Sequence, residues 1–185
     1  MTYNSDKHHR RSIRIKGYDY SQDGLYYITV CAQNRVCLFG KIDNGKMILN
    51  DVGMMVENEW LKLAERFKNI VLHEYVVMPN HCHAILEIVG ASLVVAPNNG
   101  NTQIIGQPQG IAPTIGDIIG AFKSITTMEY IRGVKNGIWQ PFNKKLWQRN
   151  YWEHIIRNEK SYIQISEYII NNPENWENDT LKTDY

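Results

Sequence analysis

Residues 70–89 read IVLHEYVVMPNHCHAILEIV, two runs rich in apolar and β-branched residues on either side of a Pro-Asn pair. Runs of this kind favour β-strands, and a Pro-Asn pair favours a turn. The segment therefore predicts two strands, over 70–78 and 81–89, that lie next to each other in antiparallel orientation.

The sequence on both sides predicts further elements. They are a strand over 25–31, a hairpin that turns at 43–45, a helix over 51–67, a helix over 115–132, a strand over 147–156 and a helix over 159–172. The order strand, helix, strand, strand, helix, strand, followed by a last helix, is typical of a split βαβ or ferredoxin-like α+β fold. We expect one antiparallel sheet with helices on one face and an added C-terminal helix.

The composition indicates one globular domain. The chain has 185 residues, 43% of them hydrophobic, and this length and hydrophobic fraction suffice for a buried core. Its formal net charge is +1. We divide it into a basic N-terminal arm (1–20), a main domain (21–176) and an acidic tail (177–185). A polar segment rich in Gly, Pro and Asn, at about 90–113, is expected to be a mobile insertion.

Several classes of protein are excluded. The three cysteines, Cys31, Cys37 and Cys82, form no C-x-x-C pair, which argues against a disulfide framework and against a cysteine zinc site. The N-terminus has no apolar signal segment, and no apolar run reaches the ~18 residues of a membrane span. We expect a cytoplasmic protein with no membrane partner.

A His-x-His pair on the second central strand is a candidate metal site. Because side chains alternate between strand faces, His81 and His83 project from one side and Cys82 from the other. Divalent metals accept imidazole nitrogens, but two histidines rarely suffice and a third ligand is needed. The alternative is a pair of histidines satisfied by hydrogen bonds alone.

The last predicted helix offers a ligand and a nucleophile on one face. Tyr168 and Asn172 are one turn apart, so the Asn172 amide oxygen could complete a metal site while Tyr168 acts as a nucleophile. A tyrosine hydroxyl, with a reference pKa near ~10, needs a metal or a base for that role. Alternatively, Tyr168 packs on the sheet and Asn172 only ends the helix.

Three motifs occur in order: MPNHCH at 78–83, WQRNYWEHIIRN at 147–158 and EYIINNP at 167–173. With them the chain resembles the REP-associated tyrosine transposases, which are part of the single-tyrosine HUH transposase superfamily. The resemblance covers about 11–176 without the insertion.

The resemblance implies a site and a reaction. His81, His83 and Asn172 would bind a divalent metal, Mg²⁺ or Mn²⁺, and Tyr168 would be the nucleophile. Apart from the resemblance, Tyr162 is a weaker alternative nucleophile, because it lies six residues earlier in the same helix on a different face from Asn172. The reaction implied is cleavage and rejoining of single-stranded or hairpin DNA through a 5′-phosphotyrosine intermediate, in some relatives by a homodimer. Two alternative functions are a catalytically silent module that binds repeat hairpins and an unrelated metal-dependent hydrolase.

Basic residues alternate with aromatic residues between positions 123 and 157, a combination that suits phosphates and unpaired bases. By region, the resemblance adds the N-terminal arm to this surface. The alternative is a solvated basic face above core tryptophans. The candidate DNA-binding residues are Arg10, Arg11, Arg14, Lys123, Lys144, Lys145, Arg149, Trp147 and Arg157.

Overall fold

The computed structural model describes residues 23–89 and 113–183. The predicted basic arm, with Arg10, Arg11 and Arg14, lies outside these ranges, as does the predicted insertion up to residue 112. None of the described helices combines the length and hydropathy that a membrane crossing requires.

The described chain forms a four-stranded antiparallel sheet in the order β4-β5-β1-β6, with a separate hairpin, β2-β3. Because β5 pairs with both β1 and β4, the last two are parallel and one strand apart, as in a split βαβ unit, and the predicted fold class is confirmed. The elements are β1 Gly24–Cys31, β2 Gly40–Asp43, β3 Lys46–Leu49, α1 Asp51–Leu61, α2 Leu63–Arg66, β4 Ile70–Val77, β5 His81–Ile88, α3 Ile115–Lys135, β6 Trp152–Ile156 and α4 Glu159–Asn171.

The helices cover both faces of the sheet. On one face Tyr26, Ile28 and Val30 of β1 belong to the large core that includes residues of α1 and α3. On the other face Tyr27 packs with Ile169 of α4 in a smaller apolar cluster. The added C-terminal helix therefore lies opposite α1 and α3, on the face to which His81 and His83 point.

The last strand is shorter than predicted. It begins at Trp152, and Trp147 makes only an isolated bridge with Ala32. The carbonyl groups of residues 148–150 instead accept hydrogen bonds from the Lys123 ammonium group on α3, which diverts them from a strand ladder. The predicted helix over 51–67 is likewise divided at Lys62 into α1 and the single turn α2.

Two local features position the site. Cys82 is buried in the large core, so β5 has the predicted alternation, with its two histidines on the opposite face. The Asn158 side chain caps α4 by accepting a hydrogen bond from the Ser161 N–H at 2.9 Å. α4 ends at Asn171, just before Pro173, which cannot donate the hydrogen bond that a continuing helix requires.

Candidate functional site

The two histidines of β5 are buried and neutral. His81 is 0% and His83 2% exposed, and their ring centroids are 4.5 Å apart. Burial lowers the pKa of His81 to about 3, with a further contribution from Arg35, and burial together with the neighbouring His81 lowers the pKa of His83 to about 3. Both imidazoles are therefore in the uncharged form that binds metal ions.

The tautomer of His81 follows from its neighbour Asn80. The Asn80 amide nitrogen donates to the carbonyl groups of Arg35 and Leu181, at 3.0 and 2.9 Å, so its oxygen is left as an acceptor. That oxygen lies 2.7 Å from His81 Nδ1, which must therefore carry the proton. His81 Nε2 keeps its lone pair and lies 3.6 Å from Asp179 Oδ2.

His83 is oriented by two hydroxyl groups. Its Nδ1 lies 2.8 Å from both Tyr27 Oη and Thr29 Oγ1, and either hydroxyl oxygen can accept a hydrogen bond from the Nδ1–H group. Its Nε2 then keeps a lone pair and lies 3.4 Å from Tyr168 Oη. Hydrogen bonding of the distal ring nitrogen is the usual way in which a protein orients a metal-binding histidine.

Around the two histidines, three buried lone-pair atoms lack a hydrogen-bond partner among the described residues: His81 Nε2, Asn172 Oδ1 and Asp179 Oδ2. Leaving a buried polar group unsatisfied costs about 1–3 kcal/mol, and more for a charged group. One ligand atom each from His81, His83 and Asp179 lie within 4.8 Å of one another, an arrangement that could hold a metal ion. The donor set is therefore suited to a cation.

Asp179 is the site residue that the sequence analysis missed, because we treated 177–185 as an acidic tail. The turn Trp176–Asn178 precedes it, and the buried Trp176 ring lies 6.1 Å from the His81 ring. The Leu181 N–H donates to Asp179 Oδ1 at 2.7 Å, and Arg35 donates to the Thr180 carbonyl at 3.0 Å. The tryptophan within an acidic segment was the available signal, since such a residue favours burial.

Tyr168 lies at the open side of the site and is 47% exposed. Burial raises the pKa of its hydroxyl, the negative charge of Asp179 raises it further, and hydrogen bonds from Asn172 and Tyr27 oppose the rise. The hydroxyl is thus protonated at neutral pH. A cation beside Asp179 would offset that charge and favour the phenolate.

A cavity of about 460 Å³ opens beside the site. His83 and Tyr168 line it together with Thr29, Asn150 and Trp152. Two residues of the candidate site, the exposed Tyr168 and the buried His83, therefore border this cavity.

Tyr162, the alternative nucleophile, lies elsewhere. Its hydroxyl donates to Glu74 at 3.0 Å and lies 3.1 Å from His73 Nδ1. It lines a separate cavity of about 570 Å³, together with Arg157, so neither residue lines the cavity beside His83.

The predicted DNA-binding lysines and arginine between positions 123 and 149 fall into two groups. Lys144, Lys145 and Arg149 are exposed and line a groove of about 560 Å³ along α3. Lys123 also lines this groove, but its ammonium group binds three backbone carbonyls, and burial lowers its pKa to about 8.

Trp147 is not available to DNA. It is 5% exposed, packs against Phe39 and Phe122, and donates from Nε1 to Thr126 at 2.8 Å. The prediction that this residue binds DNA is wrong, because the chain before β6 turns its ring into the core.

Comparison with known proteins finds a relative by sequence and solved structures with a similar fold. No family model matches the chain. A Haemophilus influenzae protein described as uncharacterized is 45% identical over an alignment of 188 positions, which covers 98% of each chain. A solved structure of a REP-associated tyrosine transposase bound to a REP hairpin matches 88% of this chain and 73% of its own, with a TM-score of 0.53 and 20% identity. That likeness confirms the resemblance at the level of the fold.

Proposed function

Because this chain belongs to one family with the Haemophilus influenzae protein and has the fold of a REP-associated tyrosine transposase, we propose that it is a transposase-type enzyme acting on DNA. It cleaves and rejoins single-stranded or hairpin DNA with Tyr168 as nucleophile. The observation that supports this most directly is the 3.4 Å separation of Tyr168 Oη and His83 Nε2, beside three buried lone-pair atoms without hydrogen bonds.

The donor atoms suit a divalent cation. His81, His83 and Asn172 are the ligands that the sequence predicts, and Asp179 adds a carboxylate to them. A mixed set of imidazole, amide and carboxylate donors fits Mn²⁺ well and accepts Mg²⁺. When bound, the cation would neutralise charge on a scissile phosphate and stabilise the tyrosine phenolate.

The proposed reaction conserves the phosphodiester. Tyr168 Oη forms a bond to phosphorus while the bond from phosphorus to the 3′-oxygen breaks, leaving the 5′-phosphate on the tyrosine. The phenol loses one proton and the departing 3′-oxygen gains one, so neither ATP nor a water nucleophile is needed. Attack by a 3′-hydroxyl reverses the step and rejoins a strand.

The exposed basic groove supports a nucleic-acid substrate. Gln148 lines both this groove and the cavity beside His83, so the two are adjacent at that residue. A strand with its scissile phosphate at Tyr168 would pass Lys144, Lys145 and Arg149, whose charges suit phosphates.

Covalent capture tests the proposal. The protein is incubated with a hairpin oligonucleotide that has single-stranded arms and a 3′-end label, in the presence of Mn²⁺, and is then analysed on a denaturing gel. We expect a labelled protein adduct and a released fragment whose 3′-hydroxyl a polymerase can extend. Tyr168→Phe should abolish the adduct, and Tyr162→Phe, a matched change on the same helix, should retain it.

The other outcomes discriminate among the alternatives. An adduct that survives Tyr168→Phe and is lost in Tyr162→Phe would move the nucleophile to Tyr162. Tight binding of hairpins without any adduct in the wild type would favour the silent binding module.

A further inference from the structure

Trp152 is a large aromatic side chain in the wall of the cavity beside His83 and Tyr168, and it has no part in the proposed chemistry. Trp152 begins β6, is 46% exposed, and lines the cavity together with Tyr168 and His83. A tryptophan so exposed beside a reactive site is a candidate for contact with a ligand.

The sheet register fixes where Trp152 lies relative to the nucleophile. Trp152 is paired with Thr29 on β1, and Thr29 is paired with His83 on β5. The three residues form one row across the sheet, so the Trp152 backbone is two strand spacings, roughly 10 Å, from that of His83. That distance lets a nucleotide with its phosphate at the metal site place its base on Trp152.

The ring of Trp152 is held by two neighbours. The His154 ring is parallel to it, with an interplanar angle of 7° and a centroid separation of 5.8 Å. The Tyr27 ring meets it at 73° with a separation of 5.4 Å. These contacts orient the indole before any ligand binds, which reduces the entropy that binding would cost.

The part of the cavity wall around Trp152 suits a base. Of the described residues that line this cavity, none is a lysine, arginine, aspartate or glutamate; apart from His83 they have aromatic, aliphatic, hydroxyl, thiol or amide side chains. Aromatic rings stack on the π-face of any base. The basic side chains lie beyond Gln148, in the neighbouring groove.

We propose that Trp152 is the stacking platform for the base of the nucleotide next to the scissile phosphate. This inference rests on the proposed function, because the position of the nucleotide follows from Tyr168 and the metal site. It adds a base-binding subsite that tolerates any base and that sets how the strand enters the site.

The test compares a normal strand with one that has no bases. Fluorescence anisotropy measures how the full chain binds labelled oligo(dT) of about 20 nucleotides and an abasic strand of equal length. We expect Trp152→Ala to weaken binding of oligo(dT) by about 5- to 150-fold and to leave binding of the abasic strand unchanged. Trp152→Phe should restore most of the affinity. Ile163→Ala, which truncates a residue that is 48% exposed and is absent from the cavity wall, should change neither.

The outcomes separate this inference from the proposed function. Equal binding of oligo(dT) by Trp152→Ala and wild type, or an equal loss for both strands, overturns the stacking platform even if the covalent adduct forms. Selective loss for oligo(dT), with rescue by phenylalanine, supports the platform even if the wild type forms no adduct.

Discussion

The two faces of the central sheet differ in what they bury, and β5 contributes to both. Its Cys82 and Ala84 pack into the apolar core against α1 and α3. Its His81 and His83 face α4, where buried lone pairs remain without hydrogen bonds. Each such group costs about 1–3 kcal/mol, so the second face gives up stability to keep ligand atoms available. The core face also leaves polar atoms unpaired, such as Trp60 Nε1, but an indole N–H is a donor and cannot bind a cation.

A pair of tryptophans gives the largest test of this comparison. Trp147 packs on the core face at 5% exposure, whereas Trp152 is 46% exposed on the other. Trp147→Ala should lower the free energy of unfolding by about 3–5 kcal/mol, because it leaves a cavity and removes the hydrogen bond to Thr126. Urea denaturation, with circular dichroism as the probe, measures the change.

Trp152→Ala is the matched control in the same experiment. Truncation of an exposed side chain should change the free energy of unfolding by less than about 1 kcal/mol. Equal losses in the two variants would mean that the α4 face stabilises the fold as much as the core face does, and the comparison would fail.

The same pair shows what the sequence could predict. The apolar and β-branched runs of 70–89 predicted two strands, and alternation predicted that His81 and His83 share one face, because both signals are local in the sequence. For the predicted strand over 147–156, alternation places Trp147 and Trp152, five residues apart, on opposite faces, but it does not say which face is buried. The hydrogen bonds from Lys123, a residue distant in sequence, set where that strand begins.

Asp179 was missed for a related reason. His81, His83 and Asn172 lie on elements whose periods indicate their direction, whereas Asp179 follows an irregular turn. Only tertiary contacts, such as the hydrogen bond from Asn80 to the Leu181 carbonyl, bring that segment to the histidines. Trp176 indicates that the segment is packed against the protein, but no local pattern identifies the residues that it contacts.

Asp179→Asn should have an effect of intermediate size: it should weaken metal binding without destabilising the metal-free protein. Removing the carboxylate should weaken Mn²⁺ binding by at least about 10-fold, as measured by titration calorimetry. The metal-free protein should be as stable as the wild type or more stable, because a buried charge without a hydrogen bond on Oδ2 is removed. Thermal unfolding with and without Mn²⁺ measures this second effect.

Glu177→Gln is the control for Asp179→Asn. It removes the same charge two residues earlier, from an exposed side chain paired with Lys182. If the two variants bind Mn²⁺ equally well, Asp179 is no ligand and the three-residue set predicted from the sequence stands alone.

The smallest expected effect concerns the basic groove, where lysines of two kinds lie side by side. Lys145 is exposed, so Lys145→Ala should reduce the slope of log K against log salt concentration by about 1 for hairpin binding, the signature of one lost phosphate contact. Lys123→Met should leave that slope unchanged and lower the free energy of unfolding, because its ammonium group already binds three carbonyls. If Lys123→Met reduces the slope as much as Lys145→Ala, the Lys123 ammonium group must leave its carbonyl partners when DNA binds. The segment before β6 would then rearrange on binding, and the groove would be formed by the DNA itself.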